Sequence, residues 1–213
     1  MTVLWLLFSI GLSIADAGQT RAPTFEALYA LTQERQKDIT NLSGRFVETT
    51  VSSLLVDPIV ARGRVIAVKS GRVVMSYESP EPRTVIVDGN RLFVYWPERD
   101  QLESLNIAET QQRVRKYFTS ASSADLKGFF DITVSVDPNM TGAYRIDMKP
   151  RRDQIKQALE RLQIWVDRET TLMTSMRMVF PGGDSKEIRF EDMRVNVPVD
   201  ESLFTPPARS RTR

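Results

Sequence analysis

The feature of this sequence that most constrains its fold is a long series of short strand-like runs separated by turn signals. About eleven runs are rich in β-branched and aromatic residues. Turn residues stand between them, as in Ser70-Gly71, Asp88-Gly89-Asn90 and Pro181–Asp184. Such near-regular spacing predicts an antiparallel meander or barrel. The predicted strands are Ser43–Thr50, Val60–Lys69, Arg72–Glu78, Arg83–Val87, Arg91–Trp96, Gln101–Leu105, Ile132–Val136, Tyr144–Lys149, Leu162–Asp167, Leu172–Phe180 and Lys186–Val195.

Two of the predicted strands carry apolar side chains on both faces. In Thr84–Val87 and Leu92–Trp96, apolar residues occupy odd and even positions alike. A half-exposed antiparallel strand alternates apolar and polar residues instead, because one of its faces meets water. The second face of these strands must therefore be covered, or it must bind something apolar.

Few helices are available to supply that cover. Thr24 can cap a first helix that ends near Asp38–Asn41, and helical spacing is also present in Ala108–Ser123 and Ala124–Phe130. Gln154–Glu160 is ambiguous. We therefore expect a strongly curved antiparallel sheet with helices over its concave side. Two interpretations of its interior stay open, a packed core and a cavity lined by apolar side chains that suits a hydrophobic ligand.

Composition excludes several classes of chemistry. The sequence contains no cysteine and no histidine, which excludes disulfides, cysteine nucleophiles, Ser-His-Asp triads and thiolate or imidazole metal ligands. Its 29 basic and 27 acidic residues nearly balance, and no basic stripe or nucleic-acid motif is present. We expect no metal, no cofactor and no nucleic-acid partner. Carboxylate catalysis stays open through Glu98/Asp100 and Glu191/Asp192, although adjacent acids usually lie on a solvated surface.

The N-terminus predicts export. Val3–Ile14 is an apolar run too short to span a bilayer, which needs about 20 residues. Ala15-Asp16-Ala17 follows as a small-x-small cleavage pattern, although no Lys or Arg precedes the apolar run. We expect a signal peptide over residues 1–17 that is cleaved after Ala17. A buried N-terminal helix is the alternative.

A series of short motifs runs through the predicted strands in order. S-P-E-P occupies residues 79–82, D-G-x-x-L-x-x-Y occupies 88–95, and P-x-x-x-Q occupies 97–101. Further motifs are L-S-G-R-F at 42–46, I-R-F at 188–190, Asn196 and L-F-T-P-P at 203–207, together with Gly63, Lys69, Gly71 and Tyr77. No single motif is specific, but their combination resembles the LolA family of periplasmic outer-membrane lipoprotein carriers over nearly the whole mature chain.

This resemblance implies an unclosed β-barrel of about eleven strands covered by a helical lid. The mature chain, residues 18–213, would form a single carrier domain. Because residues 204–213 contain prolines and are basic, we expect them to form a flexible tail. The resemblance also implies carriage rather than catalysis: the acyl chains of outer-membrane lipoproteins occupy a hydrophobic cavity in the periplasm. The implied partners are an inner-membrane lipoprotein-releasing transporter and an outer-membrane acceptor, and we expect a monomer. Two alternatives stay open, the same fold carrying another lipid or glycolipid, and a sensor or interaction module that carries nothing.

Strand alternation supplies candidates for the ligand-facing side of the sheet. They are Phe46, Val65, Met75, Tyr77, Val85, Val87, Leu92, Val94 and Trp96, and packed core is the alternative for each of them. Phe93 and Tyr95 would then point outwards, and a register shift of one residue would exchange the two sets. The lid candidates, predicted from helical spacing, are Val114, Phe118, Leu126 and Phe129.

The turn after the second predicted strand supplies a candidate latch. In the family that this chain resembles, an arginine in this turn can hydrogen-bond carbonyl groups of the lid. Lys69 stands at that place here, and because lysine lacks the planar guanidinium fork, we expect a weaker latch. Together with Arg62, Arg64 and Arg72, Lys69 is also a candidate rim for an anionic lipid or an acidic partner. A solvated turn is the alternative.

Overall fold

One antiparallel sheet of 11 strands organises the molecule. The structure is a computed structural model that describes residues 22–114, 117 and 122–207. Each strand overlaps a run predicted from the sequence. The strands are β1 Asn41–Val51, β2 Ile59–Val68, β3 Val73–Ser79, β4 Arg83–Asp88, β5 Arg91–Trp96, β6 Gln101–Asn106, β7 Phe130–Asp137, β8 Met140–Pro150, β9 Arg161–Asp167, β10 Met173–Val179 and β11 Ser185–Val195.

The strand order consists of two meanders that meet at the centre of the sheet. The order is β6-β5-β4-β3-β2-β1-β11-β10-β9-β8-β7, so strands that are adjacent in the sheet are consecutive in sequence except where β1 pairs with β11. Strands β6 and β7 lie at the two ends of this order, and the sheet is therefore not closed into a barrel. The prediction of an unclosed β-barrel is confirmed.

Four α-helices accompany the sheet in the described part of the chain. They are α1 Phe25–Gln36, α2 Ala108–Val114, α3 Ser123–Phe129 and α4 Asp153–Lys156. The hydroxyl of Thr24 accepts a hydrogen bond from the backbone N–H of Ala27 and caps α1, as predicted. Helix α3 begins with a reciprocal capping box between Ser122 and Asp125. The ambiguous segment 154–160 contributes to the short α4.

Helices cover one face of the sheet, which we call the inner face. Phe25 and Leu28 of α1 and Leu126 of α3 pack with apolar side chains of β7, β8 and β9. The other buried members of this core are Phe130, Ile146, Met148, Ile155, Leu162 and Val166. Since each fully buried large apolar side chain stabilises the fold by about 1.5–3 kcal/mol, this cluster fixes the helices on the C-terminal meander.

The opposite, outer face of β3 and β4 is covered by the C-terminal segment of the chain. After β11 the chain forms a 3-10 helix, Glu201–Phe204, and the Phe204 ring packs on Val74 and Ile86. The Arg72 guanidinium lies 4.6 Å from the Phe204 ring centroid and pairs with Glu201 at 2.6 Å. This cover explains the apolar outer face of β4 and, through Phe93, that of β5.

The predicted start of a flexible tail at Phe204 is therefore wrong. Phe204 is only 3% exposed, because its aromatic ring completes the outer-face cluster. Phe93, which was predicted to point outwards, packs against the same cluster. The rest of the predicted tail from residue 208 onwards, and the predicted signal peptide, lie outside the described residues.

Candidate functional site

The nine apolar residues predicted for the ligand-facing side all lie on the inner face of β1–β5. Side chains of directly paired residues point to the same face of an antiparallel sheet. Phe46 and Tyr77 point to the same face because Gly63 pairs with both of them. Trp96 shares the face of Val94 because it lies two positions further along β5. The remaining links are the pairs Val65–Met75, Met75–Val85, Val85–Val94 and Val87–Leu92.

These nine residues divide into a buried and a half-buried group. Phe46, Val65 and Tyr77 are buried, and the Phe46 and Tyr77 rings meet edge to face with centroids 4.9 Å apart. The other six are half-buried: Met75, Val85, Val87, Leu92, Val94 and Trp96. The inner face of β3–β5 is thus an apolar surface that remains partly open in the described structure.

A second apolar space lies beneath α1, over the C-terminal meander. It is a cavity of about 250 Å³ between α1, α3 and strands β8–β10. Its apolar lining includes Phe25, Leu28, Leu126, Ile146, Met148, Ile164, Val166 and Met173. Only Leu126 of this set was among the predicted site residues. Alternating apolar positions in β8 and β9 could have pointed to Ile146, Met148, Ile164 and Val166, since they carry the same period-two signal as β3–β5.

The C-terminal end of α1 is held from both meanders. From one side, the Lys69 ammonium in the β2–β3 turn donates to the carbonyl of Lys37, at a distance of 2.6 Å. From the other side, the Gln36 amide donates to the carbonyl of Thr171 in the β9–β10 turn at 3.1 Å, and Arg35 bonds the carbonyl of Glu169 there. Lys69 therefore contacts the end of the helix that covers the cavity, and its role as a latch stays a prediction.

The predicted lid residues are only partly described. Leu126 is the buried residue of α3, and the half-buried Phe129 ring meets the Tyr117 ring edge to face, at 5.1 Å between centroids. Val114 is the last residue of α2, and Phe118 lies outside the described residues. Leu126 and Phe129 both belong to the core that α1 shares with β7–β9.

The predicted basic rim does not form. Arg62 and Arg64 alternate with the inner-face residues of β2 and lie on the outer face, where Arg64 pairs with Glu78 at 3.0 Å. Arg72 holds the C-terminal segment instead. Lys69 is the member of this set that contacts the lid, so the four cations act at separate places.

A polar cluster at one end of the inner face was missed by the sequence-based prediction. Glu48 is buried, accepts a hydrogen bond from the Tyr77 hydroxyl at 3.0 Å, and pairs with Lys186 at 3.1 Å. The Arg83 guanidinium lies 3.7 Å from the Tyr77 ring centroid. Burial, followed by the negative charge of Glu48, raises the pKa of Tyr77 to about 12, so this phenol stays neutral at physiological pH.

A loop at the same end of the sheet is exposed and apolar. Six exposed large apolar side chains lie between the last residue of β1 and the second residue of β2: Val51, Leu54, Leu55, Val56, Ile59 and Val60. Leu54 is 91% exposed and Val56 is 100% exposed. The base of the loop is nevertheless fixed, because the carboxylate of Asp184 accepts hydrogen bonds from the Ser52 hydroxyl and the Ser53 backbone. An apolar run of this kind is typical of a buried strand, and its exposure was not predicted.

The four acids of the two pairs considered for catalysis, Glu98/Asp100 and Glu191/Asp192, are all exposed. Asp192 pairs with Arg45 at 2.8 Å, and the Tyr95 hydroxyl donates to Asp100 at 3.4 Å. Within residues 22–114, 117 and 122–207, three or more acidic side chains do not converge as a metal site would require. Over the same ranges, none of the helices combines the length and apolarity that crossing a bilayer demands.

Comparison with known proteins places most of the chain in one family. The model of the family described as "Outer membrane lipoprotein carrier protein LolA" matches residues 37–207. The chain is also 25% identical over 177 residues to a protein of Alkalilimnicola ehrlichii named outer-membrane lipoprotein carrier protein. That match covers 78% of this chain and 73% of the relative.

Solved structures share the fold at low sequence identity. An uncharacterised conserved protein from Thermus thermophilus superposes with a TM-score of 0.54 at 7% identity, over 85% of this chain and 93% of the other. A chain of the Pseudomonas aeruginosa MucA/MucB complex superposes with a TM-score of 0.51 at 17% identity, over 85% of this chain and 61% of the other. These likenesses concern the fold alone.

Proposed function

Because the chain belongs to the LolA family of outer membrane lipoprotein carrier proteins, we propose that it shelters the acyl chains of outer-membrane lipoproteins and carries them across the periplasm. The sheltering surface is the inner face of the sheet, and the process is binding and release rather than catalysis. The same surface would serve a carrier of another acylated lipid, which is the alternative cargo.

The observation that carries this proposal is the half-buried apolar surface of β3–β5. Water contact with apolar side chains is unfavourable, so a folded protein normally covers such a surface unless it binds something there. Six inner-face side chains from Met75 to Trp96 are half-buried, while the described helices pack on the other meander. An acyl chain on this surface would gain about 0.8 kcal/mol for each buried CH₂ group.

The cavity beneath α1 supports entry of cargo by movement of that helix. Its volume of about 250 Å³ is slightly below the roughly 300–1,000 Å³ of typical ligand pockets. More volume becomes available if α1 moves away from β8–β10. The Lys69 contact to the end of α1 would oppose this movement in the empty carrier.

The route of the cargo follows from the family and from the predicted leader. We propose that residues 1–17 direct export and are removed, and that the mature monomer acts in the periplasm. Cargo would come from an inner-membrane lipoprotein-releasing transporter and pass to an outer-membrane acceptor. Release requires the acceptor to bind the acyl chains more tightly than this carrier does.

Lipid identification from the native host tests the proposal. The mature chain would be purified from the host that exports it and weighed by native mass spectrometry, and any bound lipid would be extracted and identified. Co-purified diacylglyceryl or acylated peptide would support lipoprotein carriage, and a glycolipid would support the alternative cargo. An empty protein that also fails to take up a fluorescent fatty acid after delipidation would overturn carriage.

A second candidate function is an interaction module of the same fold. The exposed apolar loop between β1 and β2 favours this function, because the side chains of Leu54 and Val56 are almost fully exposed to solvent. Under this alternative the inner face binds no acyl chain and the loop binds a protein. Serine at both positions would then abolish partner binding, whereas a carrier would keep its acyl-chain affinity.

A further inference from the structure

We propose that the polar cluster at the end of the inner face binds the head group of the cargo, and that the cargo is an acylated amphiphile whose head group is anionic. Arg83 would pair with the carboxylate or phosphate of that head group. This inference rests on the proposed acyl-chain carriage and adds the chemical class of the cargo.

Arg83 lies where the apolar inner face ends. It pairs with Tyr77 of β3, and the register that pairs Thr84 with Tyr95 places Trp96 opposite it on β5. Val85 and Val87 follow on the same face of β4. At about 3.3 Å per residue, apolar surface extends roughly 13 Å from Arg83 to Val87. A head group at Arg83 would therefore have a straight apolar path for its acyl chain.

The nearby negative charges already have partners. Glu48 is bonded by Lys186 and by the Tyr77 hydroxyl. Glu81 pairs with Arg99, the guanidinium of which lies over the Trp96 ring. The cluster of these charged residues with Arg83 thus contains three cations and two carboxylates, and its net charge is 3 − 2 = +1.

Arg83 carries this surplus positive charge. Among the described residues, no carboxylate lies within ion-pair distance of it, and the sequence outside them contains one acid, Asp16 of the predicted leader. Glu103 also lies on the inner face of the neighbouring strands, but it is exposed on edge strand β6 and accepts from Gln101. Tyr77 cannot supply a negative charge, because its raised pKa keeps the phenol protonated.

The geometry leaves Arg83 able to bind an anion. Its guanidinium stacks on the face of the Tyr77 ring and also interacts with the Tyr77 hydroxyl, and the remaining N–H groups of the fork can point at a ligand. Because the side chain is half-buried, an ion pair formed there is less screened by solvent than one on the open surface. An anionic head group would supply the negative charge that no described residue supplies to the Arg83 guanidinium.

Two fluorescent probes with the same hydrocarbon chain, one charged and one uncharged, test the inference. Delipidated mature protein would be titrated with the fluorescent fatty acid cis-parinaric acid and with its uncharged methyl ester. We expect the acid to bind about tenfold more tightly or better than the ester, since a hydrogen-bonded charge pair contributes that much. The variant Arg83→Gln should lose this preference and keep the affinity for the ester.

The matched control is Arg91→Gln. Arg91 also stacks on an aromatic ring, that of Phe93 at 5.1 Å, but it lies on the outer face of β5. This control should keep the full preference for the acid. Arg83→Lys, which keeps the charge, should retain a preference for the acid if Arg83→Gln fails to fold.

The inference and the proposed function fail in different ways. Equal binding of acid and ester by the wild type, or an equal loss of both in Arg83→Gln, would overturn the anionic head group while carriage stands. Binding of inorganic phosphate as tightly as the fatty acid would also overturn it, because the site would then recognise a free anion. Binding of neither probe would overturn carriage itself.

Discussion

Phe204 is the residue that anchors the 3-10 helix Glu201–Phe204 on the outer face of the sheet. Its ring fills the outer-face cluster with Val74 and Ile86. We expect Phe204→Ala to lower the free energy of unfolding by about 3–5 kcal/mol, because it removes a buried aromatic ring and leaves a cavity. Urea unfolding followed by circular dichroism measures this change.

The adjacent Leu203 provides the control for Phe204. It belongs to the same 3-10 helix and is 43% exposed. Leu203→Ala should change stability by no more than about 0.5 kcal/mol. Similar losses in the two variants would mean that the helix, rather than the Phe204 ring, covers the outer face.

Gly63 is the residue that allows the inner face to pack closely. A Cβ atom built there would lie 2.1 Å from the carbonyl oxygen of Ser76 and 2.9 Å from the Phe46 ring. We expect Gly63→Ala to destabilise the fold by about 1–3 kcal/mol or more, since backbone and ring must both move. Gly142→Ala is the control, because a Cβ there meets nothing within 4 Å. Thermal unfolding of the two variants would contradict this account if their midpoints agreed.

Asp137 makes part of the stability depend on pH. Its carboxylate accepts hydrogen bonds from the Trp165 indole at 2.8 Å and from the Asn139 backbone at 2.8 Å. The Trp165 bond above all, then the Asn139 bond, lowers the pKa of Asp137 below its ordinary 3.8. The lowered pKa means that this stabilisation is present above pH 3.8 and is lost as the pH falls through the folded-state value.

Acid unfolding of wild type and Asp137→Asn tests this dependence. The urea midpoint of the wild type should fall from neutral pH to about pH 2 by more than that of the variant, because the variant has no proton to gain at this site. Asp184→Asn removes another carboxyl group whose pKa is lowered by hydrogen bonds and serves as a comparison for a half-buried site. Parallel wild-type and Asp137→Asn curves would argue against a contribution from Asp137.

At the scale of elements, the strands were predictable from the sequence, but the segments that pack on the two faces of the sheet were not. Each strand carries a local signal, a β-branched run bounded by turn residues, and alternation then assigns Val85 and Val94 to one face. The cover of the outer face depends on Phe204 meeting Val74, far away in sequence, and no local pattern encodes such a contact. The same limit applies to the stack of Arg83 on Tyr77, since it depends on strand pairing.

Helix α1 is the element whose position we expect to vary. Its C-terminal end is bonded by Lys69 on one side and by Gln36 and Arg35 contacts on the other. We expect Lys69→Ala to free one side, so that α1 samples a wider range of positions. Lys69→Arg should hold the helix at least as well, because the guanidinium presents more donors.

Spin labels can measure this movement without background, since the chain contains no cysteine. Labels on cysteines introduced at the exposed Ala30 of α1 and Asp88 of the β4–β5 turn would report the distance between helix and sheet. The distance distribution should broaden in Lys69→Ala and not in Lys69→Arg. An unchanged distribution in Lys69→Ala would rule out the latch.

At the scale of the whole molecule, stability should decline from the centre of the sheet to its edges. Strands β1 and β11 lie at the centre and have neighbours on both sides, whereas β6 and β7 each have one. Amide hydrogen exchange followed by mass spectrometry should therefore be slowest in β1 and β11 and fastest in β6, which is exposed as well as unpaired on one side. Equal protection of β6 and β1 would mean that something pairs with the open edge in solution.

The pairing of β1 with β11 has a consequence for when the protein can fold. Among the described strands the first, β1, hydrogen-bonds the last, β11, and Phe204 lies still later in the chain. A chain that emerges from a translocation channel N-terminus first can form the hairpins of β1–β6 early. The pairing of β1 with β11, which joins the two meanders, can form only after almost the whole chain has emerged. Closing so long a loop is slow, and until then the apolar strands are exposed. If the chain is exported as proposed, a protein that protects lipid from water would itself need protection until its last strand has arrived.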